Sequence, residues 1–201
     1  TLNEPEAISR VKAYALRLTN NTSTSTSFRF YNTGNKYLDG LLAVKNNLAR
    51  DKGVFFEVDT EMTLENIAVD DVDLTTIVGN IIDNAFDAVA MNREEDKKIV
   101  SLAIFEEDGE CCISISNNGP EISDIHKKHI FDYKYSTKSK AEGERGYGLF
   151  IVKELVARNN GEITFESSEF ETEFRILFHY NGKSPRMDID QTNNTLKKAN
   201  Y

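Results

Sequence analysis

Between Val72 and Met91 apolar residues return every third or fourth position, the spacing of one face of a helix with about 3.6 residues per turn. Ile77, Ile81, Ala85 and Val89 form the apolar stripe. A second stripe carries Thr76, Asn80, Asn84 and Asp87, with Asp73 and Asp83 close beside it. A solvated helix face normally carries Lys, Glu, Arg or Gln. Asn and Asp are indifferent helix formers because their side chains compete for the backbone. Two Asn at i and i+4 flanked by acids instead make a row of hard oxygen acceptors, which suits Mg²⁺ and its waters as well as a plain exposed face.

The same patterning places the other elements. Glu4-Pro-Glu-Ala opens a helix with Ile8, Val11, Ala15 and Leu18 on a narrow stripe, one that needs another helix to pack on. A Ser/Thr-rich break from Asn20 to Ser27 follows, then a helix over Tyr37–Leu48 closed at Asp51-Lys-Gly53. Val54–Val58 reads as a strand. Lys98–Glu106 and Glu110–Ser116 read as a hairpin about Asp108-Gly109. A short helix over Ser123–Ile130 leads into Phe131–Gly146, which has no periodicity and is rich in Lys, Ser, Thr and Gly, as lids are. Gly146–Asn159 is helical, and Glu162–Ser167 with Glu171–Tyr180 form a second hairpin. This order predicts an α/β sandwich (α+β) in which three helices cover a mixed five-stranded sheet. Residues 35–181 make that domain, residues 1–34 a helical remnant and linker, and residues 182–201 a polar tail.

Charge sharpens the picture. The chain of 201 residues carries a net charge of −9, which argues against nucleic acid as a partner. From Gly53 to Asn92 there are nine acids and no Lys or Arg, whereas Lys127–Lys153 holds seven bases against three acids. An acidic helix and a basic segment in one domain can hold a metal–polyphosphate between them, or simply attract each other. Cys111 and Cys112 are neighbours in a strand, a poor arrangement for a disulfide or metal site. No apolar run is long enough to span a bilayer, so no membrane contact is expected.

Gly143-Glu-Arg-Gly-Tyr-Gly-Leu149 opens directly into a helix. Glycines there let backbone N–H groups reach phosphate oxygens, and the helix dipole favours the negative charge. Ser136, Thr137, Lys138 and Arg145 are further phosphate ligands within reach in sequence. Asn117-Asn-Gly-Pro, at a strand end, offers side chains and the Gly119 backbone to a heteroaromatic base.

Asn80–Ala88, Ile115–Ile122, Ile130–Lys138 and Gly143–Leu149 together resemble, in order and spacing, the N, G1, F and G2 boxes of the ATP-binding domain of sensor histidine kinases, in the GHKL superfamily. Asn35–Leu42 further resembles the citrate-, fumarate- and peptide-pheromone-sensing kinases, in which the preceding segment is the second helix of a dimerisation hairpin. The resemblance implies ATP and Mg²⁺ as cofactors. Asn84, with Asn80 one turn earlier, matches the metal-binding and catalytic positions. Asp87, Asn117, Gly119 and Tyr135 match nucleotide-binding positions, as do Thr137, Lys138 and Arg145 in the lid and Gly146, Tyr147, Gly148 and Leu149 at the phosphate turn.

Three positions depart from the family pattern. Asn117 stands where an aspartate is usual, and Glu121 and Lys134 stand where glycines are usual. Asn80 replaces the glutamate base of the family's hydrolases and cannot take a proton at neutral pH. The implied function is transfer of the ATP γ-phosphoryl to an upstream histidine and thence to an aspartate on a response-regulator receiver domain. A second copy of the chain would pair through the N-terminal helix, in the cytoplasmic part of a membrane-bound parent. His126, His129 and His179 lack an acceptor's context, so the acceptor is expected upstream of Thr1. The alternatives are a degenerate scaffold and, disfavoured by Asn80, a hydrolase.

Overall fold

The computed structural model describes residues 31–135 and 146–180. The N-terminal remnant through residue 30, the lid core at residues 136–145 and the tail from residue 181 lie outside the described residues.

Helix α1, Lys36–Asp51, is capped by Asn35, whose side-chain oxygen accepts from the N–H groups of Tyr37 and Leu38. Strand β1, Val54–Thr60, follows after Gly53. Helix α2, Asp71–Val89, is capped by Asp70, which accepts from Val72 and Asp73 and places acids in the first turn where the helix dipole favours them. Strands β2, Lys98–Glu107, and β3, Glu110–Asn117, form the expected hairpin. Asp108 and Gly109 both take positive φ, the conformation of a two-residue turn that matches strand twist. A single helical turn, α3 at Asp124–Lys127, precedes α4, Gly148–Arg158, and the hairpin of β4, Glu162–Ser167, with β5, Thr172–Phe178.

The sheet order is β1-β2-β3-β5-β4, with β1 parallel to β2 and every other pair antiparallel, so the sheet is mixed and five-stranded as expected. Helices α1, α2 and α4 pack together and against the sheet. Val100, Leu102 and Ile104 of β2, Ile113 and Ile115 of β3, and Phe174, Ile176 and Phe178 of β5 meet Ile77, Ile81, Ala85 and Val89 of α2 in one core. Burying each such side chain contributes about 1.5–3 kcal/mol, so α2 is fixed by its apolar stripe. Cys111 joins this core and Cys112 is buried on the opposite face; burial pushes the Cys111 thiol up to about 12. Neither is placed as a nucleophile.

The helix expected over Ser123–Ile130 shortens to one turn, because Ser123 makes no side-chain cap and no residue of that turn is buried. Of the expected span only Ile130, beyond the turn, is buried, so the turn itself has no apolar face from which to extend.

Candidate functional site

Helix α2 turns its polar stripe toward α4. Asn80 donates from Nδ2 to the Thr76 carbonyl at 2.8 Å, which leaves its Oδ1 facing Gly148. Asn84, one turn later, is half-buried, and its side chain makes no hydrogen bond to another described residue. Both line a cleft of about 790 Å³, together with Asp87. The two acids read beside this stripe leave it. Asp73 is buried and engaged by Arg158 and Asn159 at the far end of α4, and Asp83 pairs with Lys45 of α1 at 2.6 Å. The cause is neighbour supply, since each faces a cation on an adjacent helix.

The opposite wall is the start of α4. Gly146 has φ of 100°, and a Cβ there would lie 2.7 Å from the carbonyl carbon of Lys134, so only glycine lets the two segments cross. Gly148 opens the helix, and a Cβ on it would lie 3.0 Å from Asn80 Oδ1. Tyr147 provides no side-chain cap, so the first N–H groups of α4 keep their donor capacity beside the cleft. Tyr147 instead packs edge-on against Tyr133 at 5.2 Å between ring centroids, with Phe150 on the same ring at 5.2 Å. Lys134, at a position where the family favours glycine, takes φ of 61° and so retains the left-handed turn.

The third wall is the end of β3. Asn117 is 5% exposed. Its Oδ1 accepts from the Gly119 N–H at 3.0 Å and its Nδ2 donates to the Thr172 carbonyl at 3.3 Å, which fixes the amide's orientation. Asn117 lines the cleft, but Asn118 does not: its side chain bonds the backbone at Ile99 of β2 and at Lys97 just before that strand. Gly119 sits against Ala88, where a Cβ would lie 2.7 Å from that of the alanine, and it is beside the cleft instead of on its lining.

Of the residues singled out in the sequence, Asn80, Asn84, Asp87, Asn117, Tyr135, Gly146, Tyr147, Gly148 and Leu149 thus converge on one cleft. Thr137, Lys138 and Arg145 lie outside the described residues. The cleft also has lining that the sequence did not announce. Thr172 and Phe174 come from β5, some 55 residues after Asn117. They arrive only through β3–β5 pairing, which no local pattern encodes. Ser167 joins the Ile122 N–H at 2.9 Å to the Thr172 hydroxyl at 2.7 Å, stitching the cleft's apolar end to the β4–β5 hairpin. His126 of α3 also lines the cleft and shares a hydrogen bond with the Tyr135 hydroxyl. Glu121 lines it too, its carboxylate held by Lys127 at 2.8 Å.

The cleft therefore has an apolar end closed by Asn117, Ile122, Thr172 and Phe174, and a polar end where amide oxygens meet an uncapped helix N-terminus. A family model described as histidine kinase-, DNA gyrase B- and HSP90-like ATPase matches residues 69–182, which holds every wall of this cleft. The chain belongs to that family. Within it, the proteins the chain is similar to include sensor kinases. It is 30% identical over 176 residues to the probable C4-dicarboxylate sensor kinase of Bacillus subtilis, covering 84% of this chain and 32% of that protein. It is 31% identical over 132 residues to the sensor histidine kinase DpiB of Escherichia coli, covering 65% of this chain and 24% of that protein. The chain thus spans about a quarter to a third of the length of these relatives. The catalytic domain of histidine kinase ThkA in a nucleotide-free form shares the fold, with a TM-score of 0.61, 19% identity, and coverage of 74% of this chain and 93% of that one. Among the described residues no helix is long and apolar enough to cross a membrane.

Proposed function

We propose that this ATPase-family domain binds Mg²⁺·ATP in the cleft between α2 and α4 and positions the γ-phosphoryl for transfer to a histidine of the parent kinase. The observation that carries the reading is the approach of the uncapped α4 N-terminus to Asn80 across a cleft of mononucleotide size. The base would enter the apolar end, with Asn117 offering one free lone pair of Oδ1 and the second hydrogen of Nδ2. The phosphates would lie on the N–H groups at the start of α4, with Lys138 and Arg145 as further cations.

The side chains suit the metal. Among the described residues no group of three or more His, Cys, Asp or Glu could hold an ion by itself. A nucleotide-borne Mg²⁺ keeps several waters and needs only one or two protein oxygens, which the carbonyls of Asn84 and Asn80 can supply. When bound it would offset the charge of the phosphate oxygens.

Phosphoryl transfer depends mainly on positioning and charge stabilisation. Asn80 orients but accepts no proton, so it does not itself activate a water. The reaction it suits is attack of an imidazole nitrogen on the γ-phosphorus, forming an N–P bond as the bridging P–O bond to ADP breaks. From the phosphohistidine the group would pass to an aspartate of a receiver domain. Dimeric pairing of the parent through residues 1–34, and a cytoplasmic setting, belong to the same proposal. Incubating the full chain with γ-labelled ATP tests the division of labour. The reading expects bound nucleotide with very slow hydrolysis and no acid-labile label; label on His126 or His129 overturns it.

A further inference from the structure

The C-terminus of α4 is tied to the N-terminus of α2 by a set of hydrogen bonds that touches no part of the cleft. Arg158 grips the Asp73 carboxylate through two nitrogens, Nε on Oδ2 at 2.9 Å and the second on Oδ1. Asn159 adds a bond from Nδ2 to Asp73 Oδ2 at 2.7 Å, and its Oδ1 accepts from the Asp70 N–H at 3.3 Å. Asp73 is 4% exposed, a rare setting for a carboxylate unless it is fully paired. A planar guanidinium on a carboxylate fixes direction as well as distance.

Helices α2 and α4 run antiparallel, joined at two places. One is this clamp. The other, seven residues along α2 and about 10 Å away at 1.5 Å per residue, is the approach of Gly148 to Asn80. A lever held at one end sets where its other end points. The core side chains Val152 and Val156 hold α4 against the domain, and the forked polar pair adds a directional restraint at its end.

We propose that Asp73 is a positioning residue for nucleotide binding: through Arg158 it sets the place of the α4 N-terminus relative to Asn80 and Asn84, and so the site's grip on the β- and γ-phosphates. This rests on the reading of the cleft as an ATP site. The apolar end is closed by Asn117, Ile122, Thr172 and Phe174, none of which belongs to α4. The clamp therefore acts on the phosphates and not on the base.

The experiment compares ATP and adenosine binding to the full chain by calorimetry for wild type, Asp73→Asn and the paired variant Asp73→Leu with Arg158→Met. The paired change replaces the clamp by apolar side chains, which removes the directional bond without leaving a charge unpaired. Both variants should bind ATP roughly tenfold more weakly, the scale of one charge-assisted phosphate contact, with adenosine within about twofold of wild type. Equal losses for ATP and adenosine, or no loss of ATP in either variant, overturn the inference. Wild type that binds neither ligand contradicts the ATP-site reading itself, which separates the two failures.

Discussion

Gly148 and Asn80 meet closely: a Cβ on the glycine would lie 3.0 Å from the Asn80 Oδ1, tighter than an ordinary contact. The amide is not free to withdraw, because its Nδ2 is bonded to the Thr76 carbonyl. Gly148→Ala should therefore push Asn80 out of line and place a methyl group where phosphate oxygens approach the α4 N–H groups. ATP affinity should fall by roughly ten- to a hundredfold with the thermal midpoint nearly unchanged. Calorimetric titration checks this; retained affinity would show that the phosphates do not pass between these residues.

Lys134 holds a left-handed conformation that costs a non-glycine residue about 1–2 kcal/mol, and part of that cost is recovered by a stiffer unfolded chain. Lys134→Gly should stabilise the domain by about 0.5–1 kcal/mol with no change in secondary structure. Urea unfolding reads it directly, and a destabilised variant would mean that the Lys134 ammonium on the Tyr133 ring outweighs the strain.

Asp73 predicts a pH signature. The hydrogen bond from Arg158 holds its carboxyl below the usual carboxylate range, against burial, which raises it. A depressed carboxylate contributes stability that is fully present above the unfolded value and lost as pH falls through the folded one. Wild type should therefore lose stability below about pH 4 with a steeper slope than Asp73→Asn, and the two should run parallel above pH 5. Parallel curves throughout would remove the ion pair from the stability account.

The large elements were legible because each is written in local spacing. Ile77, Ile81, Ala85 and Val89 announce α2, and Asp108-Gly109 announces the hairpin. The polar stripe was legible as a stripe, but its division was not. Asn80 and Asn84 face the cleft while Asp73 and Asp83 face cations on other helices, and the positions of Arg158 and Lys45 depend on tertiary packing. Thr172 and Phe174 were hidden for the same reason, since strand pairing alone brings them to Asn117. The short helix stops at one turn because a Ser at the cap position does not hold a helix whose face buries nothing.

Asn117 is held by a donor on one side and an acceptor on the other. Asn117→Asp installs the family's usual residue but sets a buried carboxylate oxygen against the Thr172 carbonyl. A loss of about 1–3 kcal/mol in urea unfolding is expected. An unchanged stability would mean the neighbouring backbone rearranges to accept the charge.

Asn84 offers its amide to the cleft without a described partner, and the Mg²⁺·ATP reading turns on that residue more than on any other. The direct test is titration of the full chain with a fluorescent ATP analogue, with and without Mg²⁺, in wild type and Asn84→Ala. Wild type should bind saturably, be displaced by ATP and tighten with Mg²⁺. Asn84→Ala should lose the Mg²⁺-dependent part while its circular dichroism and melting stay as in wild type. Binding that is undiminished in Asn84→Ala, or wild-type binding indifferent to Mg²⁺, would contradict the account.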